Sequence, residues 1–405
     1  MKNSSNKALN IVIVSNSQVR DDILSGGDRI FIECAKRWAE KGHDIQLITC
    51  EEGYKMCQRY GLRNVNYFIV SSPRYRLPLY LLYILRVIRG IILAWRMSHF
   101  RNIVVYSSSD FWPDSIPAWI LKMRFRKVKW VAGFYLFTHN PFSGDSPYKG
   151  RFVLKGLFYC LSQMPVYCLV RRYADMVFVT NELDRWRFID DKRLTPDKVV
   201  AVRGGVDVKT PAFIPELEGK EFDAVFLGRF HPQKGVLELI DIWEYVCKRK
   251  KDAKLAMIGV GELESEVKAK IKKYGLENNI VFFGFKDGVE KLKIFKDSKV
   301  VVHPAVYDSG GMAACEAMAC GLPGVSFDLP ALKTYYPKGM LKTPCFDLKV
   351  FAENIYTLLE NEDFYQKLKR EALELAKEWD WEKKSEELLK SIKKCVMEKN
   401  YGLRS

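Results

Sequence analysis

Runs of consecutive apolar residues recur along the chain, and between them lie longer stretches in which apolar positions return every three or four residues. Such runs predict strands buried on both faces, and the stretches between them predict helices laid against a parallel sheet. Strands are expected at residues 9–15, 44–49, 66–70, 102–107, 129–136, 176–180 and 199–202. After a stretch containing Pro and Glu they resume at 224–228, 254–259, 280–284, 299–304 and 324–327. Two series of alternating strand and helix predict two doubly wound α/β domains. The boundaries that follow are a first domain over 1–207, a linker over 208–222, a second domain over 223–380, and a C-terminal helix over 381–405 packing back on the first domain. A length of 405 residues fits this division, since a single hydrophobic core rarely grows so large.

Charge separates the two halves. The net charge is +16, and residues 53–109 hold no acid but nine basic residues from Lys55 to Arg101. A second acid-free stretch covers 115–144. Such a field attracts anionic lipid, polyanions or nucleic acid. Aromatic and aliphatic residues alternate with arginine over 77–100, so an amphipathic helix at an anionic membrane surface is expected there, with an ordinary domain helix bearing solvated arginines as the alternative. Arg86 and Arg89 sit mid-segment and exclude a bilayer span. No nucleic-acid recognition motif accompanies the charge, so no specific nucleic-acid partner is expected. Ten cysteines without paired spacing read as reduced thiols, and the polar N-terminus runs straight into a strand, so a cytoplasmic protein is expected. No Cys/His cluster has metal-ligand spacing and no DxD pair is present, so neither a metal nor a bound cofactor is expected.

Ligands of doubly wound sheets bind beyond the carboxyl ends of the strands. The first strand is followed by Ser25, Gly26, Gly27 and Asp28, where glycine lets backbone approach a ligand and a helix N-terminus offers N–H groups to an anion; a simple turn is the competing reading. In the second series, VFLGRFHPQKG places Arg229 and Lys234 beside glycine at a sheet edge, two cations suited to a diphosphate and to the charge that develops on a leaving group. Further on, VVHPAVYDSGGMAACEAMACGLP reads as a strand, a Gly-Gly turn and a small-residue helix with a single acid, Glu316. An acid on an apolar helix needs a partner: a ribose would supply two hydroxyls, and a buried ion pair is the alternative.

On these residues the chain resembles the retaining family-four glycosyltransferases of the GT-B fold, the glycosyl transferases group 1, whose signature is two acids separated by seven residues. Asp308 and Glu316 occupy those positions, with Gly310 and Gly311 between them and CEAMACGLP beyond; SGGDR, RGGVD, LGRFHPQKG and MIGVGELE match in the same order. The resemblance implies two Rossmann-like domains facing across a cleft, the first binding acceptor and the second a nucleotide sugar. It implies Arg229 and Lys234 on the donor diphosphate, Glu316 on the ribose, and the amides of Gly310 and Gly311, with Met312, on phosphate or sugar. Asp308 would act beside the sugar, Gly26 and Gly27 would approach the diphosphate from the first domain, and Gly259 and Phe285 would lie near the nucleoside. Front-face transfer without a metal would retain the anomer, moving a hexose-type sugar from a nucleoside-diphosphate sugar to a glycan or lipid-linked acceptor.

The chain departs from the family pattern in three places. Its leading acid is Asp308 where the family usually has Glu, it lacks the Gly-rich acidic loop after Gly324, and His139 in FYLFTHNPF is the candidate for the histidine that relatives carry in the first domain. The departures keep open a non-catalytic sugar-nucleotide binder of the same fold. In SSSDFWPD, Asp110 is a candidate acceptor-side base and Phe111 or Trp112 a sugar platform, while Asp114 reads as a helix cap.

Overall fold

The computed structural model describes residues 8–21, 24–71, 73, 77–97, 103–125, 127–144, 146–190, 193–215 and 219–397. The start of the expected strand at Asn102, the far end of the basic segment at 98–100, part of the linker at 216–218 and the chain end at 398–405 lie outside the described residues.

Two compact units emerge. One comprises 1–140, 154–204 and 381–405, and the other 141–153 and 205–380. The first unit holds β1 (Asn10–Ser15), β2 (Asp44–Cys50), β3 (Asn66–Val70), β4 (Ile103–Ser107), β5 (Lys129–Gly133), β6 (Met176–Val179) and β7 (Val199–Ala201) in one sheet of order β3-β2-β1-β4-β5-β6-β7. All pairs are parallel, with Ile11 of β1 against Ile45 of β2 on one side and Val104 of β4 on the other. Ile11, Val12, Ile13 and Val14 are all fully buried, which is why the strand reads as a continuous apolar run rather than an alternation.

The second unit holds β8 (Phe222–Leu227), β9 (Leu255–Ile258), β10 (Ile280–Gly284), β11 (Ser298–His303), β12 (Gly324–Phe327) and β13 (Met340–Thr343) in the parallel order β10-β9-β8-β11-β12-β13. β13 escapes the sequence reading. Pro337, Gly339 and Pro344 bracket its few residues, and its pairing with β12 is visible only in three dimensions.

Two boundaries differ from the sequence reading. The segment 141–153 belongs to the second unit, because Tyr148 and Phe152 are buried in that unit's core and Tyr148 Oη accepts from Gln233 Nε2 at 2.9 Å. The first series ends at Gly204 rather than at 207, because Val206 pairs with Asp380 and its N–H donates to Trp379 O. The C-terminal helix Trp381–Met397 joins the first unit: Trp38 Nε1 donates to Ser385 O at 2.9 Å, and Arg37 and Lys41 reach Glu382.

The helix Leu79–Arg96 is inverted. Its buried stripe contains Arg86, Gly90 and Ala94, while Leu79, Tyr80, Leu81, Ile84, Ile88, Ile92 and Trp95 are exposed. Arg86 is 1% exposed, which overturns the reading of it as a solvated arginine. The carbonyls of Asn16 and Gln18 behind β1 accept from its Nη1, and Glu52 Oε2 lies 2.7 Å from Nη2, so the buried guanidinium is held by two carbonyls and a carboxylate.

Candidate functional site

Both sheets reverse strand order at one point, between β1 and β4 in the first unit and between β8 and β11 in the second. Crossovers leave those neighbours in opposite directions, so the loops beyond their carboxyl ends diverge and open a crevice for a ligand. In the second unit these loops are 228–235 and 304–311, which carry Arg229, Lys234, Asp308, Gly310 and Gly311.

Close backbone approach locks the two loops together. Gly235, at φ +62°, caps the helix Val236–Arg249, and a Cβ there would lie 1.8 Å from Pro304 O. Gln233 O accepts from Val306 N at 3.0 Å and Tyr307 N at 3.3 Å. Gly259, beyond β9, stands so near Gly228 O that a Cβ would sit 1.9 Å away. These contacts hold Lys234 over the second loop, while Arg229 is exposed at the rim with its charge acting on buried Tyr148.

Asp308 is the centre of the arrangement. Its Oδ1 accepts from the amides of Ser309, Gly310 and Gly311 at 2.8, 3.3 and 3.2 Å, and its Oδ2 lies 2.5 Å from Lys234 Nζ and 3.2 Å from His303 Nε2. Burial works against its charge, but Lys234 and His303 outweigh it and hold the carboxyl well below the ordinary range. Burial also pushes the His303 imidazole down despite the carboxylate beside it. The contact with Asp308 is close but poorly aligned, and Nε2 lacks a well-formed hydrogen bond. At Gly311, φ +61°, a Cβ would lie 2.7 Å from that nitrogen, so glycine is needed both for the turn and for the imidazole.

Gly311 caps the helix Met312–Ala319. The Tyr336 hydroxyl inserts into its first turn, donating to Gly311 O and accepting from Cys315 N, where the ladder would join those two groups directly. Glu316 is not left for a ligand alone: Lys291 Nζ lies 2.8 Å from its Oε2 and 2.6 Å from Asp287 Oδ1. Of the two readings of Glu316, the structure shows the ion pair. Phe285, just beyond β10, is exposed. Lys291, His303 and Tyr336 are residues that the sequence reading did not place at the site. The only sequence signal for Lys291 is its place one turn after Asp287 at a helix start.

In the first unit the candidates stand on the segments beyond β1, β4 and β5, and Gln163 links the last two, donating to Asp110 and Leu136 O and accepting from Thr138 N. Gly26 and Gly27 open the helix Gly26–Glu40, where Ser25 and Asp28 form a reciprocal capping box; the site thus already carries a carboxylate and has one N–H engaged. A Cβ on Gly27 would lie 3.0 Å from the Tyr135 ring. His139 lies in the loop beyond β5 with Nδ1 3.1 Å from Asn140 O. Asp110, beyond β4, is buried and accepts from Gln163 Nε2 at 2.7 Å; burial raises its pKa to about 6 against that bond. Phe111 lies between Tyr83 and Tyr159, with centroids 5.9 and 5.7 Å away, and Trp112 Nε1 donates to Ser162 O, so both rings are packed into the unit.

Asp114 is not the helix cap. Phe111 holds that position, and Asp114 sits in the first turn, fully buried, accepting from Asn16 N at 2.6 Å and from the hydroxyls of Ser17, Ser108 and Ser109. It ties the loops beyond β1 and β4 together. Burial raises its pKa to about 7 against those bonds.

The geometry of the second unit agrees with its sequence. Residues 208–375 match the family model described as Glycosyl transferases group 1. Among curated proteins, the chain is 31% identical over 147 residues to an uncharacterized glycosyltransferase of Methanocaldococcus jannaschii, covering 36% of this chain and 35% of that protein. It is 22% identical over 225 residues to the poly(glycerol-phosphate) alpha-glucosyltransferase of Bacillus subtilis, covering 53% and 33%. These matches thus span about a third of each relative's length. Among solved structures, HepE of Anabaena in complex with UDP and glucose superposes with TM-score 0.71 at 14% identity, covering 95% of this chain and 99% of that one. A TarM variant of S. aureus in complex with Fondaparinux, alpha-GlcNAc-glycerol and UDP gives TM-score 0.73 at 13%, covering 96% and 100%. With two doubly wound parallel sheets and such neighbours, the chain has the GT-B fold. Within the matched segment Asp308 is thus folded into its own turn, and Glu316 is paired with Lys291.

Proposed function

We propose that the protein is a retaining, metal-independent glycosyltransferase that moves a hexose-type sugar from a nucleoside-diphosphate sugar to a glycan or lipid-linked acceptor in the cytoplasm. The observation that carries this reading is the meeting of Lys234 and the amides of 309–311 on Asp308 at the divergent loops of β8 and β11, with Glu316 in the helix that follows. Phosphate oxygens accept from lysine and from helix-start amides, and a carboxylate accepts from two ribose hydroxyls. Lys234 would exchange its partner Asp308 for the diphosphate, with Arg229 beside it, and stabilise charge on the departing group. Acceptor attack on the face from which the nucleoside diphosphate leaves would retain the anomer. Asp110 is suited to the acceptor side, since its raised pKa lets it take a proton near neutral pH.

One observation favours a second reading. The Asp308 carboxylate occupies the amides that a donor would use, as in a site that binds nucleotide without turning it over. The two separate in one experiment: thermal stabilisation by a panel of nucleoside diphosphates and their sugars, followed by product analysis, on wild type and Glu316→Ala. Stabilisation by one nucleotide, lost in the variant, with transfer or donor hydrolysis, supports the enzyme. Stabilisation without turnover supports the binder, and no stabilisation across the panel removes the donor site.

A further inference from the structure

The helices Leu79–Arg96, Trp112–Arg124, Val153–Tyr173 and Glu182–Ile189 pack on one face of the first sheet, sharing a core that includes Ala94, Ala118, Leu121, Val166, Val170 and Phe188. Their outer surface is what sets them apart. Of the 23 exposed large apolar residues among those described, 14 project from these four helices. On Leu79–Arg96 they fall at Tyr80, Ile84, Ile88, Ile92 and Trp95, a stripe at helical spacing, while the buried stripe holds Arg86. Val153–Tyr173 repeats the inversion: Leu154, Phe158, Leu161 and Met164 are exposed, Leu154 by 77%, while Gln163 is buried. A helix bathed in water does the reverse.

We infer that this helical layer seats the first unit on an anionic lipid bilayer. Charge identifies the occupant. Neither Leu79–Arg96 nor Val153–Tyr173 contains an acid, the acid of Trp112–Arg124, Asp114, is fully buried, and of the two acids of Glu182–Ile189 Asp184 is buried and Glu182 is paired with Arg185. Arg96, Lys155 and Arg172 are exposed along the layer, where lipid phosphates would meet them. Aromatic residues that favour the headgroup region stand among them at Tyr80, Trp95, Phe158 and Trp186. The segment 150–173 is long and apolar enough to cross a membrane by length and composition, yet its inner side, with Gly156, Gln163, Val166 and Val170, is packed on the unit. It lies on the fold, and its outer side is left for lipid. The two helices meet at Phe111, beside Asp110, whose ring contacts Tyr83 of one and Tyr159 of the other. Given the transferase reading, a lipid-borne acceptor would enter there; membrane seating itself stands without that reading.

The test is sedimentation of the full chain with phosphatidylcholine vesicles, alone or containing about a third phosphatidylglycerol. Binding is expected to the anionic vesicles, weakened by salt, and reduced about tenfold or more by Ile84→Glu with Ile88→Glu, or by Phe158→Glu with Leu161→Glu. These side chains lie outside the core, so melting temperature should be unchanged. Should a variant fold poorly, quenching of Trp95 by brominated lipid reads the same contact in otherwise unaltered protein, and loss of that quenching in Trp95→Phe supports it. Failure to pellet with anionic vesicles, together with no lipid quenching, would overturn the proposal. So would light scattering showing a dimer that the glutamate pairs convert to monomer, since a second copy would then cover the layer. Donor-induced stabilisation is read separately, so the loss of one result leaves the other intact.

Discussion

Replacing Lys234 by Met removes the cation that lies 2.5 Å from Asp308, while keeping much of the aliphatic stem. The carboxylate left behind is only 9% exposed, held by three amides and flanked by the His303 imidazole. Breaking a buried pair from one side costs about 3–5 kcal/mol, most of it the penalty of an uncompensated charge. For a unit of this size that corresponds to a fall in melting temperature of about 6–20 °C. The sign with pH follows from Asp308. Its folded pKa is depressed, so its stabilisation is complete above the unfolded carboxylate range and disappears only as pH falls through the folded value. In Lys234→Met that carboxyl should instead titrate higher, because burial remains and its main opponent is gone. The deficit should therefore be largest near pH 8 and shrink towards pH 4. Two units need not unfold together, so denaturation should be followed by hydrogen exchange resolved to residues 205–380. Adding Asp308→Asn should restore most of the loss. A deficit below about 1 kcal/mol, as for a surface pair, or one that does not narrow on acidification, would refute this account.

Other outcomes follow from single contacts. Gly235→Ala and Gly275→Ala both place a side chain at positive φ in the second unit, but only the first meets an atom, Pro304 O at 1.8 Å. By chemical denaturation Gly275→Ala should cost roughly 1–2 kcal/mol of backbone strain and Gly235→Ala several kcal/mol more. Lys291→Met should leave Glu316 without its cation and weaken nucleotide binding by about tenfold or more, measured calorimetrically, if pairing orients that carboxylate. Asp114 has a folded pKa raised to about 7, so its protonated form favours the fold and that contribution is lost as pH rises from the unfolded value towards 7. In Asp114→Asn the stability of the first unit should change less over that window.

The repeated apolar runs determined both parallel sheets, because strands covered on two faces need apolar residues at every position, and they located all the strands except β13. The same reading located the loops that bear Arg229, Lys234, Asp308 and Gly311, since a glycine required at a tight turn is visible as a letter. Partnership was beyond it. Lys234 and Asp308 are 74 residues apart, Lys291 and Glu316 are 25 apart, and Asn16 and Asp114 are 98 apart, separations that follow no helical or strand period. Only the strand order brings such loops together. Arg86 shows the limit most plainly: by sequence an arginine on an apolar helix belongs in water, yet the carbonyls behind β1 and the carboxylate of Glu52 draw it inward and turn the isoleucines out. Periodicity specifies that a helix has two faces; which face is buried depends on the polar groups waiting beneath it.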